Sequence, residues 1–141
     1  FNARGFIIYK YIRCRLSCVM IFLFFIGCSQ TLLGDWQGDC FFDDGQNYAE
    51  INVDARISRD NGYILEGLMD LNDWNNDIYK GDLTGDHSGK YVVLRTDIET
   101  DLGTYRFRIE SERFGMDLEG SCTMQSSLSP GGLTGHIVLR K

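Results

Sequence analysis

Ala49-Glu-Ile-Asn-Val-Asp-Ala-Arg-Ile57 decides the fold class. Ala49, Ile51, Val53, Ala55 and Ile57 fall on one face of an extended chain, and Glu50, Asn52, Asp54 and Arg56 on the other, because successive side chains of a strand point to opposite sides. A sheet with one face buried and the other in water requires that alternation. Nowhere in residues 34–141 is an apolar period of 3.6 sustained over the length of a helix. The chain reads as all-β.

On either side of this stretch, turn signals recur at even intervals: Asp43-Asp-Gly45, Asp60-Asn-Gly62, Asn72-Asp-Trp-Asn-Asn-Asp77, Asp86-His-Ser-Gly89, Asp101-Leu-Gly103, Arg113-Phe-Gly115 and Ser129-Pro-Gly-Gly132. They delimit eight strands near 35–42, 48–58, 63–71, 78–85, 90–97, 104–111, 116–124 and 133–140. Short connections favour an antiparallel meander, and eight strands is the number at which such a sheet closes into a small up-and-down barrel. A two-sheet β-sandwich is the alternative. Leu65-Glu-Gly67, Leu83-Thr-Gly85, Leu118-Glu-Gly120 and Leu133-Thr-Gly135 repeat Leu and Gly two apart on one face, which suits inward positions where coiled strands leave no room for a side chain. Parity places Trp36, Tyr63, Tyr79, Tyr105, Met116 and Leu133 inward with the aliphatic residues, so the interior is expected to be mostly filled. Any pocket is expected at the open end away from Trp36.

Residues 1–33 are a different piece. Arg4, Lys10, Arg13 and Arg15 precede the first acidic residue, Asp35, and the apolar run Cys18-Val-Met-Ile-Phe-Leu-Phe-Phe-Ile-Gly27 follows them. That run has the length of a signal-peptide core and about half of the ~20 residues needed to span a bilayer. Three positions back from a cut after residue 27 stands Phe25, bulky where ordinary signal peptidase takes a small side chain. Phe25-Ile26-Gly27-Cys28 instead resembles the bacterial lipobox, in which the cysteine is acylated and becomes the new N-terminus. The resemblance implies a signal peptide over 1–27, lipidation at Cys28, a lipid-anchored tether over 28–33 and a barrel domain over 34–141. It also implies the bacterial cell envelope, at the periplasmic face of the outer membrane. An uncleaved hydrophobic anchor is the competing reading.

If Cys14 and Cys18 leave with the signal and Cys28 carries lipid, Cys40 and Cys122 remain. In an oxidising compartment an isolated pair is most simply a disulfide, with two buried thiols as the alternative. Four of the 14 basic residues and none of the 20 acidic ones lie in 1–27, so the remainder carries a formal charge of −10. Such a surface repels phosphate backbones, and nucleic acid is not an expected partner.

Gly34-Asp35-Trp36 resembles the G-x-W opening of the calycin barrels: lipocalins, fatty-acid-binding proteins and avidins. The Leu-Thr-Gly triplets are similar to avidin strands, and Thr96-Asp97 to the lipocalin Thr-Asp-Tyr turn, with Ile98 in place of tyrosine. The resemblance implies that Trp36 closes one end of the barrel with Arg140 packed over it. It carries over no ligand identity.

Catalytic chemistry is thin. His87 falls in a predicted turn and His136 on the outer face, and no G-x-S-x-G, P-loop or H-E-x-x-H motif occurs, so no enzyme, cofactor or metal site is expected. Glu66 and Glu119 alternate outward. Asp73-Trp-Asn-Asn-Asp77 resembles the start of an EF-hand loop, but Ile78 and Thr84 stand where glycine and glutamate are needed. Trp74 on that loop is a candidate interaction anchor or a cap on the barrel mouth. The hydroxyls of Tyr63, Tyr79 and Tyr105 are the candidate ligand contacts. Two functions follow: a lipid-anchored envelope binding protein for a small apolar ligand, or a filled barrel that binds a protein partner through its outer face or loops. Interior volume discriminates between them.

Overall fold

The computed structural model describes residues 31–43, 45, 46 and 48–141. The signal-like segment, the lipobox-like tetrad and Cys28 lie outside the described residues. Eight strands follow in chain order: β1 Gly34–Asp43, β2 Tyr48–Asp60, β3 Ile64–Asn72, β4 Ile78–Ser88, β5 Tyr91–Thr100, β6 Gly103–Phe114, β7 Asp117–Ser126 and β8 Ser129–Arg140. Each pairs antiparallel with its chain neighbour, and β1 also pairs with β8, which closes the barrel.

Alternation does what the sequence demanded. Ile51, Val53, Ala55 and Ile57 are buried and Glu50, Asn52 and Arg56 exposed. The outer face carries opposite charges set directly across the ladders, Asp35 with Arg56 at 2.9 Å, Asp70 with Lys80 at 3.6 Å and Asp97 with Arg106 at 3.1 Å. Exposed pairs contribute little to stability because solvent screens them, so these pairs specify register more than they stabilise. Burial of the inward face is the main stabilising term.

Where the barrel closes, the sheet folds sharply over β8. Cys40 on β1 and Cys122 on β7 form a disulfide with Cα atoms 6.2 Å apart, whereas two strands separated by a third lie about 9.6 Å apart in a flat sheet. Gly135 stands between them on β8, opposite both Cys122 and Phe42. A Cβ there would strike the Phe41 carbonyl oxygen, and one at Gly120 would strike that of Glu110. The repeated glycines let adjacent backbones ride over one another, as small closed barrels need.

One register shift re-aims a side chain. Between Ile57 and Arg59 the β2–β3 ladder slips at Ser58, after which Asp60 pairs with the inward Leu65. The bulge turns Asp60 into the barrel end. The last hairpin also departs from the sequence reading: the chain turns at Ser127 and Leu128, and β8 begins at Ser129 rather than beyond Gly132. A proline has no N–H for a ladder and is tolerated at a strand's first residues, so Pro130 does not block this early start.

Candidate functional site

In a meander barrel successive connections alternate between the two ends. The β2–β3, β4–β5 and β6–β7 connections lie at the end that holds Trp36, and the other four at the opposite end. The two ends are built differently.

The Trp36 end is plugged. Trp36 is fully buried, and its indole N–H donates to the Leu32 carbonyl at 2.7 Å. The Leu32 N–H donates in turn to Asp60 Oδ2 at 3.1 Å. Asp60 Oδ1 accepts from the Gly62 N–H at 2.9 Å and meets His87 Nε2 at 2.9 Å. Burial alone would raise the Asp60 carboxyl, but the Gly62 N–H, the His87 ring and the Leu32 N–H together hold it below its ordinary value. The core therefore includes Leu32, inside the segment expected as tether.

Three sequence expectations are corrected at this end. Arg140 does not pack over Trp36: Leu139 faces inward opposite Gly38, so the next residue faces out, where Arg140 Nε lies 3.8 Å from Asp117. The cation near the indole is Lys141, with Nζ 5.6 Å from the ring centre. His87 is not in a turn, because β4 runs on to Ser88 and parity with Leu83 and Gly85 brings the ring inward. Tyr63 is not a mouth residue. Asn61 Oδ1 accepts the N–H groups of Tyr63 and Ile64, extending the turn by one residue, and Tyr63 is 61% exposed at the plugged end. Met116 is likewise exposed, in the β6–β7 turn.

The opposite end opens into a pocket of ≈ 460 Å³. Ile51, Leu71 and Ile98 form its buried base, with Met124 beside them. Tyr79, Tyr105 and Thr100 stand above, and Asp73, Trp74, Asp101 and Leu102 line the rim. Two of the three predicted tyrosines thus meet in one place. The pocket sits where β4 and β5 part company: their ladder covers only Thr84–Ser88 with Tyr91–Arg95, and the remaining turns of both strands run to the mouth without paired partners across that seam. The strands stay in contact there, since a Cβ on Gly81 would strike Thr96 Oγ1.

Two turns hold the rim. Asp73 Oδ1 accepts the N–H groups of Asn75 at 2.8 Å and Asp77 at 3.0 Å, and Asn76 takes a left-handed φ of 63°. The Asp- and Asn-rich composition of this loop is thus spent on its own backbone. Trp74, carried at the loop tip, is 68% exposed and still lines the pocket. Removal from water, followed by the Asp73 and Asp77 charges, pushes the Tyr79 hydroxyl above the ordinary tyrosine value. Thr100 Oγ1 donates to the Gly103 carbonyl at 2.9 Å and accepts from the Leu102 N–H at 3.2 Å, which fixes the second rim turn.

Sequence reasoning missed Leu71 and Ile98 at the base, Thr100 above them, and Asp73, Asp101 and Leu102 at the rim. Counting connections from Trp36 would have assigned both rim turns to the far end, and Tyr63 to the near one. Among the described residues no three His, Cys, Asp or Glu side chains gather as a metal site. No family model matches the chain, and no curated protein matches it in sequence.

Proposed function

We propose that this chain is a non-enzymatic, lipid-anchored binding protein of the bacterial cell envelope, whose calycin-like barrel holds one small apolar or amphipathic ligand at its mouth. The carrying observation is the mouth pocket. Its ≈ 460 Å³ falls within the roughly 300–1,000 Å³ of ligand sites, which are likewise apolar with a few convergent polar groups. A barrel filled to its mouth would have no such space there, although an open groove of ≈ 500 Å³ also lies on the outer face around β1 and β8.

The plugged end complements this reading. Leu32 is fixed there by Trp36 and Asp60, and Cys28 precedes it by four residues, a reach of at most about 14 Å. From the plugged end β1 runs toward the mouth.

The test is a titration of the purified protein with the uncharged fluorescent probe N-phenyl-1-naphthylamine. Saturable one-to-one binding is expected, weakened at least tenfold by Ile98→Trp, which fills the pocket. Absence of saturable binding, or equal binding by that variant with its fold intact, would defeat the reading.

A further inference from the structure

We infer that the ligand is a cationic amphiphile: an apolar tail seated on Ile51, Leu71 and Ile98, and an amine or quaternary ammonium head held at the rim. This rests on the binding-pocket reading and adds the charge of the ligand to it. Among the described residues, the charged side chains at the opening share one sign. The charged side chains that line the pocket are Asp73 and Asp101, and no Lys, Arg or His lines it. Asp77 adds a third carboxylate close enough to act on Tyr79. The nearest basic residues along the flanking strands are committed elsewhere, Lys80 to Asp70 at 3.6 Å and Arg106 to Asp97 at 3.1 Å, both on the outer face.

A carboxylate or phosphate head would therefore meet like charges with no cation to receive it. An ammonium head meets the opposite. Asp73 has spent Oδ1 on two backbone N–H groups, yet a carboxylate has about four lone-pair sites. Asp101, exposed at its turn, has no side-chain partner among the described residues. Trp74, Tyr79 and Tyr105 line the same opening, and aromatic rings attract cations, quaternary ammonium above all. Acid and aromatic side chains at one mouth select the same ligand charge, while the apolar base selects a tail.

The experiment compares three compounds with ten-carbon chains, 1-decanol, decanoate and decyltrimethylammonium, as competitors of N-phenyl-1-naphthylamine below their micelle concentrations. Decyltrimethylammonium is expected to bind at least tenfold tighter than decanoate. That advantage should shrink as salt is raised from 20 to 500 mM, because a rim site is screened. Asp73→Asn with Asp101→Asn should abolish the advantage and leave 1-decanol unchanged. Asparagine at 73 keeps the oxygen that caps the loop, and Asp101→Asn alone, at an exposed position, guards against loss of fold. Decylphosphocholine distinguishes the source of the head: binding equal to decyltrimethylammonium points to a lipid headgroup, weaker binding to a free amine. If decanoate binds as well as the cation, or the double variant keeps the preference, the inference is overturned while the pocket stands. If none of the three competes, the pocket reading itself has failed.

Discussion

Removing the Cys40–Cys122 disulfide should cost this barrel more than any other single covalent change. The bridge spans 82 residues of sequence, and closing a loop of that size in the unfolded chain corresponds to about 4.5 kcal/mol at 25 °C on the chain-entropy model. It also sits at a vulnerable place. The β1–β8 ladder that closes the barrel pairs only Gln37–Phe42 with Gly135–Arg140, and the bridge ties β1 to β7 across it. For the unit Leu32–Lys141, an unfolding entropy of about 0.23 kcal/mol/K translates the loss into roughly 20 °C of melting temperature. The comparison is urea and thermal unfolding of the oxidised protein, the same protein under mild reductant, and Cys40→Ala with Cys122→Ala, followed by the emission of buried Trp36. The urea slope should rise, because an unlinked chain exposes more surface when unfolded. A double variant within about 1 kcal/mol of the oxidised protein, or free thiols at both positions in native protein, would refute the reasoning.

Asp60→Asn should destabilise by about 2 kcal/mol at pH 7, the scale of a hydrogen bond to a charged group, because the amide NH₂ would confront a backbone N–H. The Asp60 carboxyl is held below its ordinary 3.8 when folded, so its contribution is complete above that pH and lost as pH falls through the lower folded value. Unfolding free energies of the two proteins, measured by urea titration, should converge as pH falls through the folded value, which lies below 3.8. Thr96→Val should stabilise by about 1 kcal/mol, because the buried Thr96 hydroxyl has no partner among the described residues and its desolvation is uncompensated; a loss in denaturant unfolding would mean that an ordered water satisfies it. Fatty-acid labelling in cells should mark the wild type and not Cys28→Ala, and equal labelling of the two would end the lipoprotein proposal.

The strand positions were legible to within a few residues because one periodicity and seven turn signals act together, and the count of eight favoured closure over the sandwich without deciding between them. Inside the barrel the alternation of β2 named its buried face, but β5 hid its own. Tyr91-Val-Val-Leu94 is an unbroken apolar run, and only the fold reveals that Val92, Leu94 and Ile98 face in while Tyr91 is exposed. The β2 bulge was invisible for a different reason: Ser58, Arg59 and Asp60 are all polar, so no hydrophobic pattern registers the slip that buries Asp60. Tyr79 and Tyr105 were identified by parity, whereas the rim acids stood in turns, where Asp and Asn are expected for backbone reasons alone. Their convergence on one opening is a property of barrel closure, which brings together turns 28 residues apart in sequence, from Asp73 to Asp101.

The account turns on whether the mouth, and not another surface, receives the ligand. The most direct measurement is heteronuclear NMR of the isotopically labelled protein titrated with 1-decanol, whose neutral head tests the pocket independently of charge. The account predicts shift changes that saturate at one equivalent and concentrate on Ile51, Leu71, Tyr79, Ile98, Tyr105 and Met124, with the Trp36 indole and Leu118 unmoved. Changes that never saturate, or that centre on the Trp36 end or the outer face of β1 and β8, would contradict it.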